Sequence, residues 1–569
     1  MPQSKLLPLG HRRVKHATSC CASIVQDVYN AGVNAFRLLT WTVPAALAAA
    51  FAGCGEPGPV RIRLNDDVVR PPRSVLVFFP DGLHRARFDE LVAAGQLPHI
   101  TRRFVQGGIR VDRAVDSLPT VTYANCSSLV TGLFPGHHGI PGNVWLDRQS
   151  LESCSYMTLD TYRVVNEHLT VPTLYSILGD HFTLNIQLHT YRGVTRSIDG
   201  YHTFRRNWIL GFHGAVDRSV PDRLPAVAAL ANREKRWPSV IMTYFPAVDE
   251  VGHRFGPNSP QYDQAVRDLD TAVGRMTDAI DRAGLGDRTY YVLVSDHGMP
   301  AVEPDRHLDL SKWLEVRRAL NCRETPLQGH GRAAFRAALE RYDAFLVIGA
   351  DRMAAIHLRG RQGWDTTPTC AEVASFIESE PHLAELPAVD CVLARDGTDR
   401  VRLWSSRGAA AVERSRDGGQ VRYRLLVDRG DPLGYAQPAE LAAFVQAGWH
   451  TSRDWLRATS GSTHPDFVPQ TVEMFDSPRA GDVILFAAQG WDFSLSQKAG
   501  HGSCLAGDML IPLHFAGPGL APGGTIPCGR LVDVAPTLIG LLGDGERLRQ
   551  YTLDGVDLSG ELRAATSAR

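Results

Sequence analysis

The run Ser74-Val75-Leu76-Val77-Phe78-Phe79 is almost wholly apolar, the pattern of a strand covered on both faces. Residues 182–188, 239–245 and 289–295 repeat it. Between these runs the apolar spacing changes to threes and fours. Val266, Leu269, Val273, Met276 and Ile280 form the clearest such stripe, with Ser259 placed as N-cap and Pro260 in the first turn. Strands alternating with helices predict an α/β fold, a mainly parallel central sheet with helices on both faces. After about residue 300 the rhythm changes. Apolar runs at 345–348, 354–358, 391–394, 401–405 and 421–427, with a helix over 371–378, predict a small α+β insertion spanning 301–480. The charged turn Ser415-Arg416-Asp417-Gly418-Gly419 is expected to join the last two of these strands as a hairpin. The central sheet is expected to resume at 482–487 and 510–516, followed by a helix over 533–543. The catalytic core then comprises 74–300 and 481–569, preceded by a linker at 55–73.

The first 54 residues follow another pattern. Residues 38–52 are apolar and uncharged and run into Gly53-Cys54, followed by Gly55-Glu56-Pro57. That length suits the hydrophobic segment of an export signal better than a spanning helix. Small residues before Cys54 resemble the lipid-attachment site of bacterial lipoproteins. Translation from Val33 would leave a short leader carrying Arg37. The expectation is an exported bacterial protein, periplasmic or anchored to a membrane by lipid on Cys54. A short anchor helix or a buried apolar segment is the alternative.

At 569 residues, 44% hydrophobic and 21% charged, the chain can bury a sizeable core. A net charge of −1 gives no general attraction to nucleic acid or anionic membranes. No nucleic-acid-binding surface is evident, and oligomeric state is left open. Beyond Cys54 stand Cys126, Cys154, Cys322, Cys370, Cys391, Cys504 and Cys528, an odd number without a CxxC pair or zinc-ribbon spacing. Export would allow disulfides but the sequence assigns none.

Five scattered segments carry the candidate chemistry: Pro80-Asp81-Gly82, Thr120-Val121-Thr122-Tyr123, Asp249-Glu250-Val251-Gly252-His253, Ser295-Asp296-His297-Gly298 and His501-Gly502-Ser503. Each lies where a strand-like run gives way to a loop or helix. Ligands in open α/β sheets bind at the carboxyl ends of strands, so acids there are well placed. Carboxylate oxygen and imidazole nitrogen suit Zn²⁺, and three of each with one hydroxyl suffice for two divalent ions. Asp249 and His253 share one face of a helical turn. Taken singly, each has a plain reading: Asp81-Gly82 as a turn, a threonine as an N-cap, His501 as an exposed loop residue. Thr120 and Thr122 compete as the hydroxyl.

In combination these segments resemble the type I phosphodiesterase/nucleotide pyrophosphatase family of the alkaline phosphatase superfamily. The resemblance covers most of 74–300 and about 481–543 in the family's order, including Thr131-Gly132-Leu133-Phe134-Pro135-Gly136-His137-His138-Gly139-Ile140 after Thr122. It implies an alkaline-phosphatase-like core and a metal-dependent phosphoric ester hydrolase. By that similarity Asp249, His253 and His501 would hold one zinc, and Asp81, Asp296, His297 and the Thr122 hydroxyl the other. Thr122 would be the nucleophile of a phosphoryl-enzyme intermediate. Asn143 would bond a non-bridging phosphoryl oxygen, aided by the Tyr123 N–H, and its offset favours Thr122 over Thr120. His138 would be structural.

Within the superfamily a sulfatase would show a Cys/Ser-x-Pro-x-Arg motif, which is absent at the nucleophile. Related monoesterases add a Lys-x-Arg pair; here the comparable stretch reads Thr203-Phe204-Arg205-Arg206-Asn207. This leans toward a small-molecule diester substrate, with a phosphomonoesterase as the alternative and Arg205 or Arg206 as the substitute cation. A non-catalytic exported lipoprotein that binds metal or ligand is the alternative of another class. All seven ligand and nucleophile positions hold competent residues, which weighs against it.

Overall fold

The computed structural model describes residues 58–158, 161–198, 211–324, 332–494 and 497–565. The leader with Cys54, and Arg205 and Arg206, lie outside the described residues. No described helix is long and apolar enough to cross a membrane.

Among the described residues two nine-stranded sheets organise the chain. In the central one, Thr289–Val294, Ser74–Pro80, Val240–Phe245, Thr183–Ile186 and Arg196–Ile198 lie side by side and all parallel. Leu513–Ala516 continues this sheet antiparallel between Thr289–Val294 and Gly108–Val115, and Gly524–Arg530 lies parallel to Gly108–Val115. The fold is therefore α/β with a mainly parallel central sheet. Both faces are buried, as the apolar runs require. Val75, Val77 and Phe79 enter one core beneath the helices Thr122–Thr131 and Val534–Leu542, while Leu76 and Phe78 enter the other beneath Pro260–Arg282. That last helix starts where its sequence says, with the Ser259 hydroxyl accepting from Tyr262 N at 3.2 Å. Val266, Leu269, Val273, Met276 and Ile280 are all buried, each worth about 1.5–3 kcal/mol.

The second sheet is as wide as the first and mostly antiparallel. It runs His450–Thr451, Arg422–Gly430, Gly408–Ser415, Arg400–Ser405, Val389–Arg395, Val483–Ala487, Met353–Leu358, Ala344–Ala350, Cys322–Glu324. Two expectations are corrected here. Val483–Ala487 does not return to the central sheet but pairs with Met353–Leu358 and Val389–Arg395 in the middle of the second. A five-residue run that is apolar throughout reads alike in either sheet, because both bury its two faces. The turn at 415–419 joins Gly408–Ser415, not Arg400–Ser405, to Arg422–Gly430. The intervening strand opens Gly-Ala-Ala-Ala, whose small side chains carry little strand signal.

Candidate active site

Three central elements deliver side chains to the carboxyl end of the parallel strands. Asp81 follows Ser74–Pro80, and Asp296 and His297 follow Thr289–Val294. Asp249 and His253 project from the helix Ala247–Phe255, which begins just after Val240–Phe245. Gly82 makes the convergence tight. Its φ is +62°, and a Cβ there would lie 2.8 Å from Asp249 Oδ1 and 2.9 Å from Asp249 Cα, so only glycine fits without moving the helix. His501 arrives on the loop between the two sheets. It is buried, and its ring stacks on His297 at 3.6 Å between centroids, with a 12° interplanar angle. The exposed-loop reading of His501 is thereby excluded.

The side chains form two groups of three, Asp81–Asp296–His297 and Asp249–His253–His501, each with its donor atoms within 4.8 Å of one another. All three imidazoles are oriented in the same way. Nδ1 of His297 donates to Gly298 O at 3.0 Å, Nδ1 of His253 to Ala499 O at 2.9 Å, and Nδ1 of His501 to Thr120 O at 2.8 Å. In the neutral ring Nε2 is then an acceptor. Yet each Nε2 faces carboxylate oxygen: His297 faces Asp81 Oδ1 at 3.2 Å and Asp296 Oδ2 at 3.4 Å, His253 faces Asp249 Oδ1 at 3.4 Å, and His501 faces the same atom at 3.7 Å. Asp81 Oδ1, Asp249 Oδ1 and Asp296 Oδ2 are buried without a hydrogen-bond partner. The other oxygens of Asp81 and Asp296 are engaged: Asp81 Oδ2 accepts from Tyr244 OH, and Asp296 Oδ1 accepts from Gly82 N and His297 N, both at 3.0 Å. Buried acceptors converging on acceptors are what a cation site demands, and the nitrogen and oxygen donors fit a divalent ion such as zinc.

The charges carry the same strain. Burial pushes the Asp296 carboxyl well above its usual range and the Asp81 charge pushes it further. Burial also opposes ionisation of Asp81, but the hydrogen bond and charge of His297 win and hold it well below the carboxylate range. Two adjacent carboxylates share their ionisation unequally unless a cation lies between them. Burial would lower His253, but Asp249 and Asp351 on either side raise it well above its ordinary value. His501 is driven well below by burial and by the two neighbouring imidazoles.

Thr122 is the first residue of the helix Thr122–Thr131, so it is not the N-cap, and Val121 in that place makes no side-chain cap. Its Oγ1 lies 3.3 Å from His297 Nε2. The Thr120 hydroxyl is committed elsewhere, accepting from Gly502 N at 2.8 Å and donating to Ser503 O at 3.1 Å. Asn143 stands beside Thr122, but the expectation for Tyr123 changes: its N–H donates to Asn143 Oδ1 at 3.0 Å. That bond engages the amide oxygen of Asn143, a residue that lines the cavity beside Thr122. His138 is buried, with Nε2 3.1 Å from Ser128 Oγ and Nδ1 accepting from Ile140 N at 3.2 Å. Burial, then the neighbouring His137 charge, lowers its pKa to about 3, as suits a neutral structural ring.

The site opens into a cavity of about 350 Å³ that reaches Asp81, Thr122, Asn143, Asp249, His253 and His501. Its aromatic wall was not foreseen from the sequence. His189 stacks on Tyr123 at 5.0 Å and 12° and tilts against Tyr244 at 4.7 Å; burial lowers its pKa to about 4. The sequence reading also missed Asp351, which comes from the second sheet and lies 3.1 Å from His253 Nδ1. Asp-Arg between two strand-like runs reads as an ordinary hairpin turn, and nothing local distinguishes it.

Residues 75–369 match the family model described as type I phosphodiesterase / nucleotide pyrophosphatase. The chain belongs to that family. The match continues past the end of the central parallel strands into Ala344–Ala350 and Met353–Leu358 of the second sheet. Among curated family relatives, an uncharacterized pyrophosphatase/phosphodiesterase of Schizosaccharomyces pombe is 23% identical over 45% of this chain and 51% of its own length. The bis(5'-adenosyl)-triphosphatase ENPP4 of Homo sapiens is 22% identical over 43% and 51%, respectively. Ectonucleotide pyrophosphatase/phosphodiesterase family member 1 of Mus musculus is 26% identical over 43% of this chain and 26% of its own length. The chain thus spans about half, or less, of the relatives it matches. The solved murine ectonucleotide pyrophosphatase/phosphodiesterase 5 shares the fold, with a TM-score of 0.52 at 15% identity, covering 86% of this chain and 99% of that one. An inactive threonine-to-alanine form of that protein in complex with AMP gives 0.50 at 16% identity over 83% and 95%.

Proposed function

We propose that this family member hydrolyses phosphodiester or pyrophosphate bonds of a small-molecule substrate, with Thr122 as nucleophile and two divalent ions, best suited as zinc. Asp249, His253 and His501 would hold one ion; Asp81, Asp296, His297 and the Thr122 hydroxyl the other. When bound, the ions supply positive charge to the attacking and leaving oxygens. The Thr122 hydroxyl gives up its proton as its oxygen attacks phosphorus, and the leaving oxygen departs and takes up a proton. Water then cleaves the bond from Thr122 to the phosphoryl group, which still carries its retained ester, and restores the hydroxyl. The helix begun by Thr122 aims its positive end at the phosphoryl group. Asn143 Nδ2, held by the Tyr123 N–H, donates to a non-bridging oxygen as charge develops.

The observation that carries this reading is the set of three imidazoles whose Nδ1 atoms are tied to carbonyls while Nε2 faces partnerless carboxylate oxygens beside Thr122. The relatives' names support the bond type, and the inactive threonine-to-alanine form of a solved relative supports a threonine at the centre. The test is steady-state hydrolysis of bis-p-nitrophenyl phosphate and p-nitrophenyl phosphate. The diester should show the higher kcat/KM, because its transition state carries one negative charge fewer and needs no added cationic clamp. Thr122→Ala should lose at least about a thousandfold in kcat while keeping the fold. A Thr122→Ala enzyme with wild-type turnover would end the proposal, and a monoester preference of about a hundredfold, roughly 2.8 kcal/mol, would move it to a phosphomonoesterase.

A further inference from the structure

Asp351 and Arg352 form the two-residue turn between Ala344–Ala350 and Met353–Leu358 in the second sheet. Hairpin turns are ordinarily exposed, but here Arg352 is fully buried and the Asp351 side chain is only 22% exposed. The turn grips the metal-site loop at several points. Arg352 N donates to His501 O at 2.9 Å. The Arg352 guanidinium donates to both oxygens of Asp508, at 2.9 and 3.3 Å. Asp508 in turn accepts from Ser503 N at 3.1 Å through its side chain and from Gly298 N at 2.7 Å through its carbonyl. Gly500 lets the turn come close, since a Cβ there would lie 3.0 Å from Asp351 Cβ. Asp351 Oδ2 thereby reaches within 3.1 Å of His253 Nδ1, the same nitrogen that donates to Ala499 O.

Among the described residues, neither His297 nor His501 has a carboxylate at Nδ1; each donates there to a backbone carbonyl. His253 is the exception. A carbonyl suffices to hold the ring in place, so the carboxylate adds charge. Negative charge behind an imidazole polarises its N–H and makes the opposite nitrogen a stronger donor to a metal. We propose that Asp351 is a positioning residue of the Asp249–His253–His501 half-site, strengthening His253 Nε2 as a ligand from a turn of the second sheet. The inference rests on the metal-site reading above. The competing account is a metal-free His253 imidazolium bridging Asp249 and Asp351.

The experiment uses the full chain and its Asp351→Asn, Asp351→Ala and Asp351→Glu variants, stripped of metal and titrated with Zn²⁺ against a chelating indicator. Co²⁺ loading is followed in parallel through its visible spectrum. Wild type should take up two equivalents. Asp351→Asn, which keeps shape and a hydrogen-bond acceptor but loses charge, should weaken one equivalent by about 10- to 100-fold and leave the other within about twofold. Asp351→Ala should weaken the same equivalent at least as much, Asp351→Glu should restore part of it, and the Co²⁺ spectrum should change for that site alone. The metal-free variants should melt within a few degrees of wild type. Two equivalents bound equally well by wild type and Asp351→Asn would overturn the inference alone, as would equal weakening of both. A wild-type chain that binds no Zn²⁺ would overturn this inference and the metal-site reading together.

Discussion

The two sheets divide the work differently. The central sheet supplies chemistry: Asp81, Asp249, Asp296 and His297 all lie at or just beyond the carboxyl ends of parallel strands that are buried on both faces. The second sheet supplies none of the proposed ligands, yet its Asp351–Arg352 turn holds the loop that carries His501. Parallel strands all end at the same edge, so they concentrate side chains from distant parts of the sequence. Antiparallel strands place turns at both edges, and a turn there can act as a clasp. Most of the proposed ligands and the turn that clasps the His501 loop are thus drawn from different architectures.

The sharpest test of this division lies in the central sheet. Asp296→Asn preserves shape but removes charge from a fully buried carboxylate with one partnerless oxygen. Turnover should fall by at least about a hundredfold, on the scale of a lost transition-state interaction. The metal-free variant should melt no lower than wild type, because without a cation the Asp296 carboxyl already resists ionisation beside Asp81 and the amide keeps its shape. A large loss of stability with turnover retained would make Asp296 a structural residue and blur the contrast between the sheets.

A smaller effect is expected at the boundary. Thr120 belongs to the central part but bonds the His501 loop through Gly502 N and Ser503 O. Thr120→Ala leaves both groups buried without that partner, a cost of about 1–3 kcal/mol in a denaturant melt. Its turnover should fall far less than that of Thr122→Ala. Equal losses in the two would remove the assignment of the nucleophile.

The smallest effect concerns the seam away from the site. His137 bonds Asp554 at 2.8 Å and also Glu473 and Asp476, at 2.7 and 3.1 Å, at the end of a helix packed on the second sheet. Burial opposes its charge, but hydrogen bonds to Asp476, Asp554 and Glu473 raise its pKa to about 12. Its folded value exceeds the unfolded value of about 6.5, so its contribution is complete below about pH 6.5 and declines as pH rises toward 12. His137→Gln should therefore lower the urea midpoint most near about pH 6, with the gap to wild type narrowing by about pH 9.5. A gap that widens with pH would refute the charged seam.

Much of this was legible in the sequence where local pattern and chemistry coincide. The continuous apolar run at 74–79 and the 266–280 stripe named their elements because burial on two faces and on one face leave different periods. Asp81, Asp249, His253, Asp296, His297 and His501 were ordinary when taken singly and became legible through their combination and its resemblance to a known family. Val483–Ala487 was misplaced because apolar content does not specify which sheet a strand joins. The Tyr123 N–H and Asp351 were misread or missed because their partners are fixed only by folding: Asn143 is 20 residues from Tyr123, and Asp351 is nearly a hundred from His253.

The central claim is that two triads flank Thr122 as a pair of cation sites. Anomalous diffraction at the zinc absorption edge from crystals of the Zn²⁺-loaded protein tests it most directly. The account predicts two peaks, one among Asp81, Asp296 and His297 near Thr122 and one among Asp249, His253 and His501. Density at neither triad, or a single peak elsewhere in the fold, would contradict it.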